Sequence, residues 1–196
     1  MYNTVELIGT IASEPVFVYR NKIRSYYTLQ LAVNRLSPAC DMLPVYLHEE
    51  HLLPFVERKQ RVKVEGALRT YSQYEVDKKR LIVYVQAFRI SPTDLPDANR
   101  ICLQGSVAKL PILRRTPFGR EICDILLLVR RNASKCDMVP VIVWNALAQR
   151  AANLRAGDPL CIEGRFQSRE YEKRMPDGAC ELRVAYEVSC SLIHNL

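Results

Sequence analysis

The chain has 196 residues, 48% of them hydrophobic and 25% charged, the ordinary balance of a globular protein with a buried core. No apolar run approaches the roughly 18 residues of a membrane-spanning helix. The start Met1-Tyr2-Asn3-Thr4-Val5-Glu6 lacks a basic stretch followed by an apolar one, so a cytoplasmic location without a membrane partner is expected. A net charge of +7 admits a polyanionic partner without requiring one. The seven cysteines, at 40, 102, 123, 136, 161, 180 and 190, form no C-x-x-C pair, which argues against a zinc ribbon and a thioredoxin motif. Cys102, Cys123 and Cys161 lie in apolar runs and read as small buried hydrophobes.

In chain order, apolar residues at every second position predict strands. The first carries Val5, Leu7, Gly9 and Ile11, the second Leu29, Leu31 and Val33, and the third Leu43, Val45 and Leu47. Glu49 to Gln60 reads as a helix if Pro54 sits in its first turn. Val62, Val64 and Gly66 mark a fourth strand, and Leu81, Val83 and Val85 a fifth. Ser91-Pro92-Thr93-Asp94-Leu95-Pro96-Asp97 then reads as a linker.

After it the pattern starts again. Cys40-Asp41-Met42-Leu43-Pro44-Val45 recurs as Cys136-Asp137-Met138-Val139-Pro140-Val141, an offset of 96. The same offset aligns Asn3 with Asn99, Gly9 with Gly105, Pro15 with Pro111 and Val33 with Val129. Beyond the third strand the offset is 98, matching Glu65-Gly66 to Glu163-Gly164, which one small insertion explains. Two modules follow, residues 1–95 and 99–196. The second repeats the strands with Ile125, Leu127 and Val129, with Val139, Val141 and Val143, and with Leu182, Val184, Tyr186 and Val188. Its helix is expected from Ala146 to Ala156, ended by Gly157. Five strands with one short helix between the third and fourth is the order of an OB fold. The expected architecture is therefore all-β, two tandem OB-fold barrels, with Gly9 and Gly105 at a bulge that bends each first strand.

The second module also resembles a known family. Gly105-Ser106-Val107, the stretch Pro111, Arg114-Arg115-Thr116-Pro117 and Gly119, and Val141-Ile142-Val143-Trp144-Asn145 are similar to bacterial single-stranded DNA-binding proteins. So are Ala148 through Leu154, Gly157-Asp158, Ile162-Glu163-Gly164-Arg165 and Gln167-Ser168-Arg169-Glu170-Tyr171-Glu172-Lys173. The first module matches more loosely, at Asn3-Thr4-Val5, Gly9 and Val64 to Thr70. The resemblance implies sequence-independent binding of single-stranded DNA in replication, recombination or repair. It also implies an assembly of four OB domains around the strand, here a homodimer with two per chain, and neither cofactor nor small-molecule substrate. The chain departs from the family in two ways. It ends Ser189-Cys190-Ser191-Leu192-Ile193-His194-Asn195-Leu196, without the acidic residues of the family's tail, and a stacking-tryptophan position falls near Ala133.

Holding a single strand without sequence preference takes cations for phosphates and flat rings for bases. Trp144, the sole tryptophan, ends the third strand of the second module where the family places a stacking aromatic; the bland alternative is a ring covering the barrel's end or an oligomer contact. Tyr171 lies between Arg169 and Lys173, again at a family stacking position. In the first module the place of Trp144 falls to His48, and Tyr71 and Tyr74 flank the place of Tyr171; Tyr46 is a further candidate ring. Candidate phosphate ligands are Arg114, Arg115, Arg120, Arg130, Arg131, Lys135, Arg165, Arg169, Lys173 and Arg174, with Arg35 and Arg69 in the first module. Residues 99–196 carry 15 Lys and Arg against 10 Asp and Glu, and residues 1–98 carry 13 against 11, so the second module is the expected binder.

An enzyme would need a nucleophile beside a base, paired carboxylates or a metal cluster. The three histidines, His48, His51 and His194, have no evident partners, and no Gly-rich phosphate loop or G-x-S-x-G is present. The rival that stands is an OB pair adapted to dock replication or primosome proteins, for which Tyr26, Tyr27 and Phe55 in the first module look exposed. RNA stays open beside DNA, because stacking and phosphate contacts do not distinguish the sugars.

Overall fold

The computed structural model describes residues 2–51, 59–75, 78–116, 118–174, 178 and 180–194. The first half contains β1 (Asn3–Ile11), β2 (Val16–Arg20), β3 (Ser25–Asn34), β4 (Cys40–His48), a 3-10 turn at Glu49–His51, β5 (Arg61–Glu75) and β6 (Lys78–Pro92). The second half repeats them as β7 (Ala98–Val107), β8 (Ile112–Arg115), β9 (Glu121–Arg130), β10 (Cys136–Trp144), helix α1 (Asn145–Ala151), β11 (Pro159–Arg174) and β12 (Cys180–His194).

Each half is an OB barrel. β1 pairs with β5 along Val5–Thr10 and turns at its end onto β3, Thr10 opposite Ala32, while β4 and β6 close the far side in parallel. The second half does the same through β7 with β11 and β9, and through β10 with β12. Strand alternation puts Leu7, Ile11, Leu31, Val45, Val64 and Val85 inside one barrel and Leu103, Leu127, Val141, Ile162, Phe166 and Val188 inside the other, all essentially without solvent contact.

The structure adds detail the periodicity did not carry. The connection after each first strand folds a short extra strand, β2 or β8, so each barrel has six strands when these are counted. Ser91 and Pro92 belong to β6, which leaves Thr93–Asp97 as the link, and Asp97 is held there by Arg61 at 2.7 Å. Helix α1 stops at Ala151, capped by Ala152; Gly157, at φ +94°, lies in the turn beyond and donates its N–H to the Val107 carbonyl. Of the helix expected at Glu49 to Gln60, residues 52–58, with Pro54 and Phe55, lie outside the described residues. The bulge expected at Gly9 and Gly105 sits elsewhere: register shifts occur at Glu65/Gly66 and Glu163/Gly164. Gly9 and Gly105 are instead where the first strand crosses closest to β3 or β9. A Cβ on Gly105 would run into the Leu128 carbonyl oxygen, and one on Gly9 into that of Ala32. Gly105→Ala is therefore expected to lower stability by about 1–3 kcal/mol through overpacking, read from thermal unfolding; an unchanged melting temperature would contradict this role for the glycine.

The two barrels share one sheet. β1 and β7 run antiparallel, with Asn3 opposite Leu103 and Ile8 opposite Ala98, so the twelve strands form a continuous order. A doubled clamp locks the barrels from the other side. Asp137, fully buried, accepts the N–H of Thr70 at 2.7 Å and pairs with Arg131, whose guanidinium also donates to the Thr70 carbonyl. Its counterpart Asp41, also fully buried, accepts the N–H of Ser168 at 2.9 Å and pairs with Arg35, which donates to the Ser168 carbonyl. The hydroxyls of Thr70 and Ser168 accept the N–H groups of Met138 and Met42. Each module thus reaches into the other at equivalent backbone positions, Thr70 and Ser168.

Candidate nucleic-acid interface

Trp144 ends β10 at the start of α1 and is half-buried, its indole N–H donating to Ser189 Oγ at 3.0 Å. Ile142, which shares its parity, is buried. The hairpin of β11 and β12 extends past the barrel and carries Tyr171, 37% exposed, with the Arg169 guanidinium 5.6 Å from the ring centre. That contact is a cation–π pair. On this hairpin the alternating set Leu182, Val184 and Tyr186 is not an interior face: Leu182 is 64% exposed and Tyr186 lies at the surface of a cleft.

The first module differs. Tyr74 and Tyr71 are exposed on the β5–β6 hairpin, Tyr74 the more so. His48 is buried, with Tyr26 edge-on against it and Nδ1 accepting the Glu50 N–H, so its ring is not a surface for stacking. Tyr46 is likewise interior, its ring 4.1 Å from that of Tyr84 and its hydroxyl 3.3 Å from Tyr71 Oη. Burial pushes the phenols of both Tyr46 and Tyr84 up, Tyr84 to about 12. Tyr26 and Tyr27 are half-buried; Tyr19, not anticipated from sequence, is exposed and stacks on Tyr26 at 4.7 Å.

The candidate cations divide into three groups. Arg35, Arg69, Arg131 and Arg165 belong to the clamp: Arg69 lies 3.3 Å from Asp137 and Arg165 3.9 Å from Asp41. Arg114 pairs with Asp124, Arg115 with Glu121 and Arg169 with Glu187. The bond to Asp124 holds the Arg114 guanidinium further above its ordinary value. Among the described residues, Arg120, Arg130, Lys135, Lys173 and Arg174 have no carboxylate at ion-pair distance, and all but Lys173 are exposed. These five surround β8–β9, the β9–β10 turn and the β11–β12 hairpin, in the same module as Trp144 and Tyr171. The seven cysteines are free thiols; Cys123 and Cys190 are buried, whereas Cys102 and Cys161 are half-buried neighbours on β7 and β11. No group of three metal-ligating side chains exists among the described residues, and none of their helices is long and apolar enough to cross a membrane.

The single-strand binding protein family model matches residues 98–191. A single-stranded DNA-binding protein of Thermus aquaticus is 28% identical over 216 aligned positions, covering 93% of this chain and 81% of the relative. The crystal structure of the wild-type Thermus aquaticus protein superposes with a TM-score of 0.78 at 25% identity, covering 98% of this chain and 92% of that one. The second module carries the single-strand binding protein family's domain, and the chain as a whole is similar to the Thermus aquaticus protein. The likeness to the Thermus aquaticus protein runs through both barrels, and the family matched by the second is non-enzymatic. Single-stranded DNA-binding protein 2 of Listeria innocua is 36% identical over 81 residues, where the match spans 38% of this chain and about half, 51%, of the relative.

Proposed function

We propose that the chain binds single-stranded DNA without strict sequence preference, in replication, recombination or repair, chiefly through its second module. The carrying observation is the β11–β12 hairpin, where the exposed Tyr171 ring stands among Arg169, Lys173 and Arg174 in the half of the chain matched by the family. Trp144 and Tyr171 stack on bases while Arg120, Arg130, Lys135, Lys173 and Arg174 meet phosphates; the paired arginines 114, 115 and 169 contribute where their carboxylates yield to a phosphate. Titration with dT oligonucleotides should quench Trp144 fluorescence, and an unchanged signal with no complex formed would refute the reading.

Phosphate contacts displace counterions, so affinity should fall by about 0.7 log unit per contact for each tenfold rise in salt. With the five unpaired cations engaged the slope should be about −3.5, and a salt-independent affinity would remove phosphate tracking. The modules are taken as residues 1–95 and 99–196. The working assembly is a homodimer carrying four OB barrels, for which sedimentation at micromolar concentration should give twice the chain mass; a stable monomer would rule it out. A second reading, a protein-docking module, draws on Phe17, 55% exposed, and Ile23, 80% exposed, along the β2–β3 hairpin of the first module. It predicts weak or absent DNA binding, so the same titration separates the two.

A further inference from the structure

The register sets Tyr19 of β2 opposite Tyr26 of β3, and Tyr26 opposite His48 of β4. Residues paired directly across strands point to the same face, so the three rings form one row. They touch in that order. Tyr19 stacks on Tyr26 with ring centres 4.7 Å apart, and Tyr26 stands edge-on to His48 at 5.7 Å. The row rises from the buried His48 through the half-buried Tyr26 to Tyr19, which is 43% exposed. In the second module the same row is Arg114, Ile122 and Trp144. There the large ring stands on the third of the three strands and a cation on the edge strand. In the first module the exposed aromatic surface has moved out to the edge strand.

The surroundings of Tyr19 are basic. A cavity of about 400 Å³ lies beside it, lined by Tyr19, Arg24, Tyr26 and Arg131 among others. Arg24 is exposed at the end of the β2–β3 turn, where Asn21 Oδ1 accepts its backbone N–H at 2.8 Å. Among the described residues its guanidinium has no carboxylate at ion-pair distance. Arg131 reaches the cavity from the second module. Burial raises the Tyr19 phenol above its ordinary range, and the Arg131 charge works against that rise.

We infer that Tyr19 is the base-stacking platform of the first module and that Arg24 meets a phosphate beside it. The inference rests on the single-strand-binding reading and adds a second site to it, so that a strand extending beyond the second module is held by both barrels. An exposed ring next to an unpaired cation is the combination by which single strands are held without sequence preference. The cavity falls within the 300–1,000 Å³ typical of small-ligand sites, which is room for one nucleotide. His48 acts as a positioning residue: it stands at the inner end of the row and supports Tyr26, on which Tyr19 stacks.

The test compares a dT strand of about 30 nucleotides, enough for two barrels, with one of about 8, which a single barrel can hold. Tyr19→Ala should weaken binding of the long strand by about fivefold or more and leave the short strand, held by the second module, unchanged. Tyr19→Phe keeps the ring and should bind both strands as the wild type does. Arg24→Ala should make the salt dependence of long-strand affinity shallower by about 0.7 log unit per tenfold change in salt. Melting curves show that each variant is folded. Wild-type affinity for the long strand in folded Tyr19→Ala overturns the inference and leaves the proposed function standing. An equal loss on both strands also overturns it, because the substitution has then acted on the second module. So does an equal loss in the alanine and phenylalanine variants, because the ring is then not what binds. An unchanged salt slope in Arg24→Ala removes Arg24 from the site. Failure of the wild-type chain to bind either strand removes the proposed function, and this site with it.

Discussion

Replacing Trp144 by alanine is expected to weaken the binding of a labelled dT oligonucleotide by about 1–3 kcal/mol, a loss of five- to 150-fold. Trp144 is the largest ring at the margin of the second barrel and is fixed there by its bond to Ser189, so little entropy is lost when a base stacks on it. The half-buried indole also packs on the barrel, and its removal has a stability cost that must be kept separate from affinity. Trp144→Phe serves for this: it keeps a ring for stacking and gives up the bond to Ser189. The ordering expected is wild type, then phenylalanine, then alanine, measured on proteins whose thermal unfolding shows them folded at the working temperature. A folded Trp144→Ala protein with wild-type affinity would take Trp144 out of the interface. If folded Tyr171→Ala then bound equally well, the hairpin would lose its role too, and the docking reading would be preferred.

The second large effect is on stability. Asp137→Ala is expected to cost about 3 kcal/mol, the lower end of the range for breaking a buried ion pair. The carboxylate is inaccessible to solvent, and its loss strands three groups at once: the Arg131 guanidinium, the Arg69 guanidinium and the N–H of Thr70. Both arginines keep some contact with water, 28% and 18% of their side-chain surface, which is why the upper end is not reached. Against a typical total of 5–15 kcal/mol, such a loss is readily seen in urea unfolding. Asp41→Ala should behave alike, since Arg35 and the N–H of Ser168 depend on it in the same manner. A change below about 1 kcal/mol in both variants would mean that the β1–β7 pairing alone holds the modules in place.

The two predictions touch residues that the sequence presents in very different lights. The repeat Cys-Asp-Met-x-Pro-Val is the plainest signal in the chain, and its register is legible because identical backbone environments demand identical residues. The strand order followed from it, since period-two alternation at Leu29, Leu31 and Val33, or at Val139, Val141 and Val143, needs only one buried face. The positions of Trp144 and Tyr171 at a strand end and on a hairpin were likewise local properties, readable from spacing. What made the repeat necessary was not local. Asp41 and Asp137 look like ordinary strand-edge carboxylates, and Arg35 and Arg131 like free cations, until the neighbouring module supplies the Ser168 and Thr70 backbone groups that complete each site. Charge and alternation are properties of single residues and short windows, so sequence alone determined the two barrels and the basic surplus of the second. Arg69 and Arg165 are drawn from phosphate toward carboxylates 68 and 124 residues away, Asp137 and Asp41, and that only the tertiary structure decided.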